Sequence, residues 1–423
     1  MRSWRNSVHA DTVLKLGDVR ADELAARFGT PLLVLDLRAV DAAVAAMQRA
    51  CAPFGVRISY AGKALMLVPL VRRFVAAGLS IDVCSLGELA TAEGAGVPPE
   101  RIALHGAGKT DAELQAVCDA RVGRIIVDGL DELRRLAAHA EGRGVKLLLR
   151  LNTGIEAHTH DFIRTAGDNS KFGFAPHEEA AAIEILRTNP HLHLVGLHAH
   201  VGSQIYESQP FAANALVLAS AMARFAEAGF VVTTLVLGGG FGIAMHPDAA
   251  DELLDLHATV AGFVRTVQDA ARANGLAMPR LEIEPGRALV GAAGTSLYRV
   301  LAIKRFAQRT FAITDGSMAD NPRPALYNAY HHITSVVPSS DTHDVTVCGR
   351  SCENDEFGNA QLPRVLRAGD LLAVASTGAY TYSMASNYNR FARPAVVAVG
   401  DGEPRLFARR ETIEQLLQND VDA

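Results

Sequence analysis

Between about residues 57 and 290, short β-rich apolar runs alternate eight times with amphipathic helical stretches. The runs are RISYA from Arg57, LSIDV from Leu79, RIALH from Arg101, RIIVD from Arg124, KLLLRL from Lys146, LVGLHAH from Leu194, TLVLGGG from Thr234 and LEIEP from Leu281. Segments such as LVPLVRRFVAAG and DELRRLAAHAEGRG lie between them, with apolar residues at helical spacing and Gly at the stop. The first five runs recur about every 22 residues, which is the length of one strand, one helix and two loops. Eight β/α units in succession predict an α/β fold of the TIM-barrel type, (β/α)8. A doubly wound open sheet rarely carries eight consecutive parallel units, and no G-x-G-x-x-G follows the first run. After Gly294 the pattern changes to short strands set off by Gly, Pro and Asp: RVLAIKRF, TFAITDG, DVTVCGR, DLLAVASTGAY, ARPAVVAVG and EPRLFARR. These predict a C-terminal all-β domain. The early segment PLLVLDL is too short to fold alone and is expected to add a strand to it. The expected division is a barrel over 37–288 and a β domain over 1–36 plus 289–423.

A chain of 423 residues exceeds what one core usually fills. With 49% hydrophobic and 21% charged residues it reads as globular. A formal charge of -5 and the lack of a Lys/Arg cluster argue against a nucleic-acid surface and for a small-molecule role. MRSWRNSVHAD lacks the apolar core of a signal peptide, and no apolar run is long enough to span a bilayer, so the expected location is the cytoplasm, with no membrane partner. Five cysteines fit a reducing compartment. Most are expected to be small buried apolar residues, with Cys352 the exception.

Barrel enzymes place their chemistry at the C-terminal ends of the strands, so residues just after a run are informative. Lys63 follows the first run in SYAGKAL. Most lysines are solvated surface residues, but one at a barrel mouth among small and apolar neighbours is expected to be partly desolvated and nucleophilic. His198 and His200 end the sixth run two residues apart, on one face. A zinc pair would need further His and Asp ligands at other strand ends, and a core histidine beside a mouth histidine is favoured over a metal. Gly238, Gly239, Gly240 and Gly242 follow the seventh run, where such barrels bind phosphate through bare backbone N–H groups, and Ser203 could add a hydroxyl. Glu284 ends the eighth run in EIEPGR, three residues before Arg287. It is either half of a structural ion pair or, beside a Schiff-base lysine and a phosphate cradle, the partner of a pyridinium nitrogen that makes the ring an electron sink.

The chain resembles the fold-type III pyridoxal-phosphate decarboxylases, which share the alanine racemase-like barrel, and within them most closely the diaminopimelate decarboxylases. The resemblance runs from about Pro31 to Leu406. It rests on the order and number of motifs: YAGKA at Lys63, DVCSLGEL at Asp82, HTHDFIRTAGDNSKFGF from His158, GLHAHVGSQI, LGGGFGI, EPGR, DGSMADNPRPALYNAYHH from Asp315, SCEN at Cys352 and STGAYTYSMASNYN from Ser376. It implies pyridoxal 5'-phosphate as cofactor, bound to Lys63 as a Schiff base and stacked by His200. Gly239, Gly240, Gly286 and Ser203 are then implied for the phosphate, and Glu284 for the ring nitrogen. Arg287 is implied to face the substrate. Arg323 and Tyr327 of RPALY are implied to hold a substrate carboxylate, Cys352 to donate a proton, Glu353 to meet a distal ammonium, and Tyr380 to stand near cofactor and substrate.

The implied reaction is decarboxylation of meso-2,6-diaminopimelate to L-lysine and carbon dioxide. The implied assembly is a homodimer with the loop bearing Cys352 and Glu353 crossing into the partner's active site. A decarboxylase of D-ornithine, D-lysine or a modified diamino acid is the nearest alternative. An amino-acid racemase is another, although racemases set an arginine against the ring nitrogen where this chain has Glu284. The chain departs from the family pattern in three places: HGAGK at His105 to Lys109 replaces HGNNK, Leu65 replaces an asparagine, and CENDEFGNAQLP suggests a longer loop after Cys352. Lys171 is a candidate ion-pair partner across the dimer for Asp355 or Glu356.

Overall fold

The computed structural model describes residues 13–155, 170–246 and 253–421. β1 (Lys15–Leu16) and β2 (Val19–Arg20) form a short antiparallel pair, and β3 (Leu32–Asp36) follows. The eight apolar runs become β4 (Arg57–Ala61), β5 (Ser80–Val83), β6 (Ile102–Leu104), β7 (Arg124–Val127), β8 (Val145–Arg150), β9 (Leu192–His198), β10 (Thr234–Val236) and β11 (Arg280–Ile283). They close into a barrel in the order β10-β11-β4-β5-β6-β7-β8-β9 with every pairing parallel. Strands covered on both faces need unbroken apolar runs, and Leu147, Leu148 and Leu149 of β8 are all fully buried. Ala103, Ile126, Leu148 and Val236 form one apolar cluster contributed by four different strands. Arg124 of β7 and Glu282 of β11 form a largely buried ion pair. Helix starts follow the local chemistry: Ser85 accepts the Glu88 N–H at the head of Leu86–Gly94, and Thr110 and Glu113 make a reciprocal capping box for Asp111–Cys118.

The later strands are β12 (Gly294–Arg305), β13 (Thr310–Thr314), β14 (Ile333–Ser335), β15 (Thr342–Cys348), β16 (Glu356–Pro363), β17 (Leu371–Ala375), β18 (Ala395–Val399) and β19 (Arg405–Ala408). The main path of their sheet is β16-β15-β13-β12-β3-β18-β19, with β17 pairing β12 and β14. PLLVLDL supplies β3 near the middle of this sheet, antiparallel to β12 and parallel to β18. An irregularity between Val300 and Ala302 divides β12, whose first half pairs β3 and β17 and whose second half pairs β13. One core of the sheet unit gathers Leu24, Leu32, Val34, Leu297 and Val397, and a second gathers Tyr298, Val345, Val347, Phe357 and Leu362.

Internal packing divides the chain into a barrel unit, 44–242 with 254–288, and a sheet unit drawn from 1–43, 243–253 and 289–423. The barrel unit is thus a discontinuous part of the expected 37–288. The reading of CENDEFGNAQLP as an extended loop is corrected: EFGNAQLP is strand β16, paired antiparallel with β15. Phe357 and Leu362 are buried while Asn359 and Gln361 are exposed, and an irregularity in the pairing at Phe357 breaks the alternation that would mark a strand. No helix among the described residues is long and apolar enough to cross a membrane.

Candidate active site

Lys63 stands on the short turn Gly62–Ala64 directly after β4, between buried Gly62 and Ala64. Lys63 itself is exposed. His200, Gly239 and Glu284 meet through the loops that follow β9, β10 and β11. The Ile205 N–H donates to the Gly240 carbonyl (2.9 Å) and the Gly242 N–H to the Ile205 carbonyl (3.0 Å), closing the first two loops on each other. The Glu284 N–H donates to the Gly238 carbonyl (2.9 Å), closing the next pair. Such close backbone approach leaves no room for a side chain: a Cβ on Gly239 would stand 2.2 Å from the Glu284 carbonyl oxygen. Gly240 combines a φ of +104° with an approach that would put a Cβ 2.5 Å from the Gly202 carbonyl oxygen. Gly286 packs against Ala61 and Ala64 beside the lysine turn.

The Gly239 N–H donates to Nδ1 of His200 at 3.1 Å, which leaves Nε2 as the protonated nitrogen of a neutral ring. Burial, with Lys63 nearby, holds that imidazole well below its ordinary value. Arg287 is buried at the head of the short helix Arg287–Val290 and donates to the Ser203 hydroxyl at 3.1 Å. Glu284 is buried, with Oε2 accepting from His198 Nε2 at 3.0 Å and Oε1 lying 3.2 Å from His105 Nε2. Burial alone would raise its pKa, but the two imidazoles hold the carboxyl well below the carboxylate range. The favoured reading of His198 as a core residue is thereby sharpened, since its ring is spent on Glu284. His105, His198 and Glu284 are spaced closely enough to share a metal ion; His198 Nε2 is hydrogen-bonded to Glu284 Oε2, while His105 Nε2 meets Glu284 Oε1 as an ion-pair contact.

In the sheet unit, RPALY forms the short helix Arg323–Tyr327. Its Arg323 is buried, with the guanidinium carbon 5.3 Å from the Tyr327 ring centroid and 5.7 Å from that of Tyr380. Tyr380 has a positive φ of 58°, a conformation rare for a tyrosine, in the tight turn after β17. Cys352 is exposed and donates its backbone N–H to Asn389 Oδ1 at 3.1 Å. Glu353 accepts from the Tyr388 hydroxyl at 2.7 Å. Asp355 and Glu356, the candidate partners of Lys171, each have a partner within the chain. Asp355 is buried and accepts from the Ser351 hydroxyl (2.7 Å), while Glu356 pairs with Arg309 (2.7 Å). The expected burial of most cysteines holds fully only for Cys51, with Cys84, Cys118 and Cys348 half-buried. Burial still pushes Cys51 and Cys84 up to about 12 and Cys348 up to about 11. The HTHDF motif from His158 lies outside the described residues.

Residues 37–291 match the pyridoxal binding domain of the pyridoxal-dependent decarboxylases. The diaminopimelate decarboxylase of Actinosynnema pretiosum subsp. auranticum is 43% identical over 418 residues, covering 96% of this chain and 92% of the relative. The chain belongs to the diaminopimelate decarboxylase family. The Bacillus subtilis (strain 168) member is 40% identical, covering 96% of this chain and 95% of its own. The solved structure of the M. jannaschii diaminopimelate decarboxylase in co-complex with L-lysine superposes with a TM-score of 0.90 at 29% identity, covering 98% of this chain and 99% of the other.

The family uses pyridoxal phosphate, and the barrel unit's donor set suits it. Glu284 is a buried carboxylate held anionic, as a protonated ring nitrogen requires, and His200 is a neutral ring locked by one hydrogen bond. Beside them lie Lys63, Ser203 and a loop pair too tight for side chains. Two residues carry more of this diaminopimelate decarboxylase-family barrel than their motifs suggested. His105 reaches Glu284, and buried Lys109 donates through Nζ to Glu132 (2.8 Å), the Ile126 carbonyl (2.7 Å) and the Gly106 carbonyl (2.9 Å). The lysine thus ties down the loop in which HGAGK replaces HGNNK. Only the repeated placement of His and Lys just after a strand could have flagged them.

Proposed function

We propose that this protein decarboxylates meso-2,6-diaminopimelate to L-lysine and carbon dioxide. The observation that carries the reading is Glu284, a buried carboxylate kept anionic by two histidines at the mouth of a barrel that also presents Lys63. Lys63 would hold pyridoxal phosphate through its amine, with His200 against the ring, Glu284 at the ring nitrogen, and Ser203 with the N–H groups of Gly239, Gly240 and Gly286 at the phosphate. The bound cofactor supplies an electron sink for the pair left behind when carbon dioxide departs. Glu284, unable to take up a proton at neutral pH, keeps a positive charge favoured at the atom it meets. Arg323, Arg287 and Tyr327 bind and orient the substrate through a carboxylate remote from the scissile bond, which is positioning by contacts away from the chemistry. A bidentate guanidinium makes that choice strict. Glu353 meets the distal ammonium, and Tyr380 contributes a hydroxyl near both cofactor and substrate. Cys352 or Lys63 delivers the proton that replaces carbon dioxide on the product carbon. The chain works as a homodimer in which Cys352 and Glu353 of one copy serve the barrel of the other. Its cysteines, all free among the described residues, support a cytoplasmic location.

The decisive experiment is borohydride trapping of the cofactor in the wild type and in Lys63→Ala, beside carbon dioxide release from meso-diaminopimelate, lysine and D- and L-ornithine. Wild type is expected to trap the adduct and to favour meso-diaminopimelate. An adduct retained in Lys63→Ala overturns the attachment site, and preference for a substrate lacking the distal carboxylate overturns the substrate. Exchange of the α-hydrogen without carbon dioxide release would mark a racemase.

A further inference from the structure

Behind Glu284 lies a cluster that the proposed roles do not use. Ser59 of β4 donates to Asp82 Oδ1 of β5 at 2.6 Å, and His105, just after β6, brings Nε2 to 3.5 Å from that oxygen and 3.2 Å from Glu284 Oε1. His198 closes the far side, its ring edge-on to His105 with centroids 5.3 Å apart. Asp82, His198 and Glu284 are buried and His105 nearly so. Among the described residues Asp82 Oδ2, His105 Nε2, His198 Nδ1 and Glu284 Oε1 find no hydrogen-bond partner, so His105 meets the two carboxylates as ion-pair contacts.

We infer that His105 is a positioning residue, an imidazolium set between Asp82 and Glu284 so that the cluster keeps one net negative charge, matched to one cation at the barrel mouth.

Two carboxylates this close in a dry interior cannot both stay ionised without a cation between them. His105 faces both, whereas His198 faces only Glu284 and stands beside His105. The titration tendencies agree with the geometry. Burial opposes charge on His105, but Glu284 and Asp82 outweigh it and raise the ring to about 9, while burial lowers His198 to about 4. Burial and then Glu284 push Asp82 up to about 6, leaving it mostly ionised at neutral pH. The cluster therefore holds two carboxylates, one imidazolium and one neutral imidazole. The other titratable groups facing it largely cancel or are uncharged: Arg124 pairs with Glu282, Arg150 with Asp128 at 3.3 Å, and Lys63 has Glu88 nearby. The Cys84 thiol and the His200 ring are neutral.

This inference rests on the reading that Glu284 meets the ring nitrogen of pyridoxal phosphate, and charge counting gives it a test. His105→Gln leaves two adjacent carboxylates that must share a proton, so Glu284 no longer holds a fixed charge, whereas Asp82→Asn/His105→Gln leaves Glu284 as the one anion. In the holoenzyme at neutral pH, isotope-edited infrared spectroscopy should find a protonated carboxyl in the single variant and none in the double. Pyridoxal phosphate release, followed by the visible absorbance after dilution, should quicken by about tenfold or more in the single variant and return towards wild type in the double. A double variant as impaired as the single one means that His105 only fills space and overturns the inference. A carboxyl signal that appears and is rescued with no change in release overturns the link to the cofactor. Asp82→Asn, which leaves both rings in place, should lower the His105 titration midpoint by NMR, and an unmoved midpoint overturns the inference even if His105→Gln does not fold. The infrared and NMR measurements can be repeated on the cofactor-free full chain, so they stand apart from a failure of Lys63 to hold the cofactor.

Discussion

Gly239→Ala isolates how much of the site depends on two backbones lying in contact. Gly239 does not have a positive φ, so alanine meets no dihedral strain there, and the entire cost is steric. Its Cβ would lie 2.2 Å from the Glu284 carbonyl oxygen, and an ordinary contact begins near 3.4 Å, so the loops must part by roughly 1 Å. Parting them stretches the 3.1 Å bond from the Gly239 N–H to His200 and shifts the backbone that carries Glu284. Overpacking of this kind costs about 1–3 kcal/mol. Gly262→Ala is the matched control. It lies in the helix Leu256–Ala273, and its added Cβ meets nothing within 4 Å. There the same methyl should stabilise by about 0.4–1 kcal/mol. The assay is urea unfolding of both cofactor-free variants, with a pyridoxal phosphate titration of each. Gly239→Ala should lose stability and bind the cofactor about tenfold or more weakly, since each 1.4 kcal/mol is a factor of ten. Equal shifts in the two variants would refute the steric argument.

Lys109→Met should destabilise by about 3–5 kcal/mol because Glu132 is left buried and unpaired, whereas Lys109→Met/Glu132→Leu should recover much of that loss in the same unfolding assay. Asp320 gives a pH signature. It accepts from the Tyr298 hydroxyl and the Ser317 N–H, both at 2.7 Å, and burial raises it to about 7. Its folded form binds a proton more tightly than an unfolded carboxyl near 3.9, so its contribution to stability falls as pH rises from about 4 to about 7 and is level above. The stability difference between wild type and Asp320→Asn, followed across that range, should show this slope, and a flat difference would contradict it.

The barrel was readable because its strands are buried on both faces, and such strands advertise themselves as unbroken apolar runs like KLLLRL and LVGLHAH. β16 was hidden for the opposite reason: its inward residues Phe357 and Leu362 are separated by Gly, Asn, Ala and Gln, which read as a loop. Lys63, His200 and Glu284 stood out as candidates because a residue just after a barrel strand is conspicuous once the strands are counted. The partnership of Asp82, His105 and Glu284 was not, because it joins three strand ends far apart in sequence. A closed barrel brings them within ion-pair reach, and no local spacing encodes closure.

The parallel pairing of β3 with β18 joins residues about 360 positions apart. During synthesis all eight barrel strands are available once Ile283 has emerged, but one edge of Leu32–Asp36 must wait for Ala395–Val399. Until then an apolar strand made among the first has an open edge that invites pairing with other chains. The nascent protein is therefore most exposed to aggregation after its barrel strands are made and before Ala395–Val399 emerges, and a late strand acts as the closing stitch for one of its earliest.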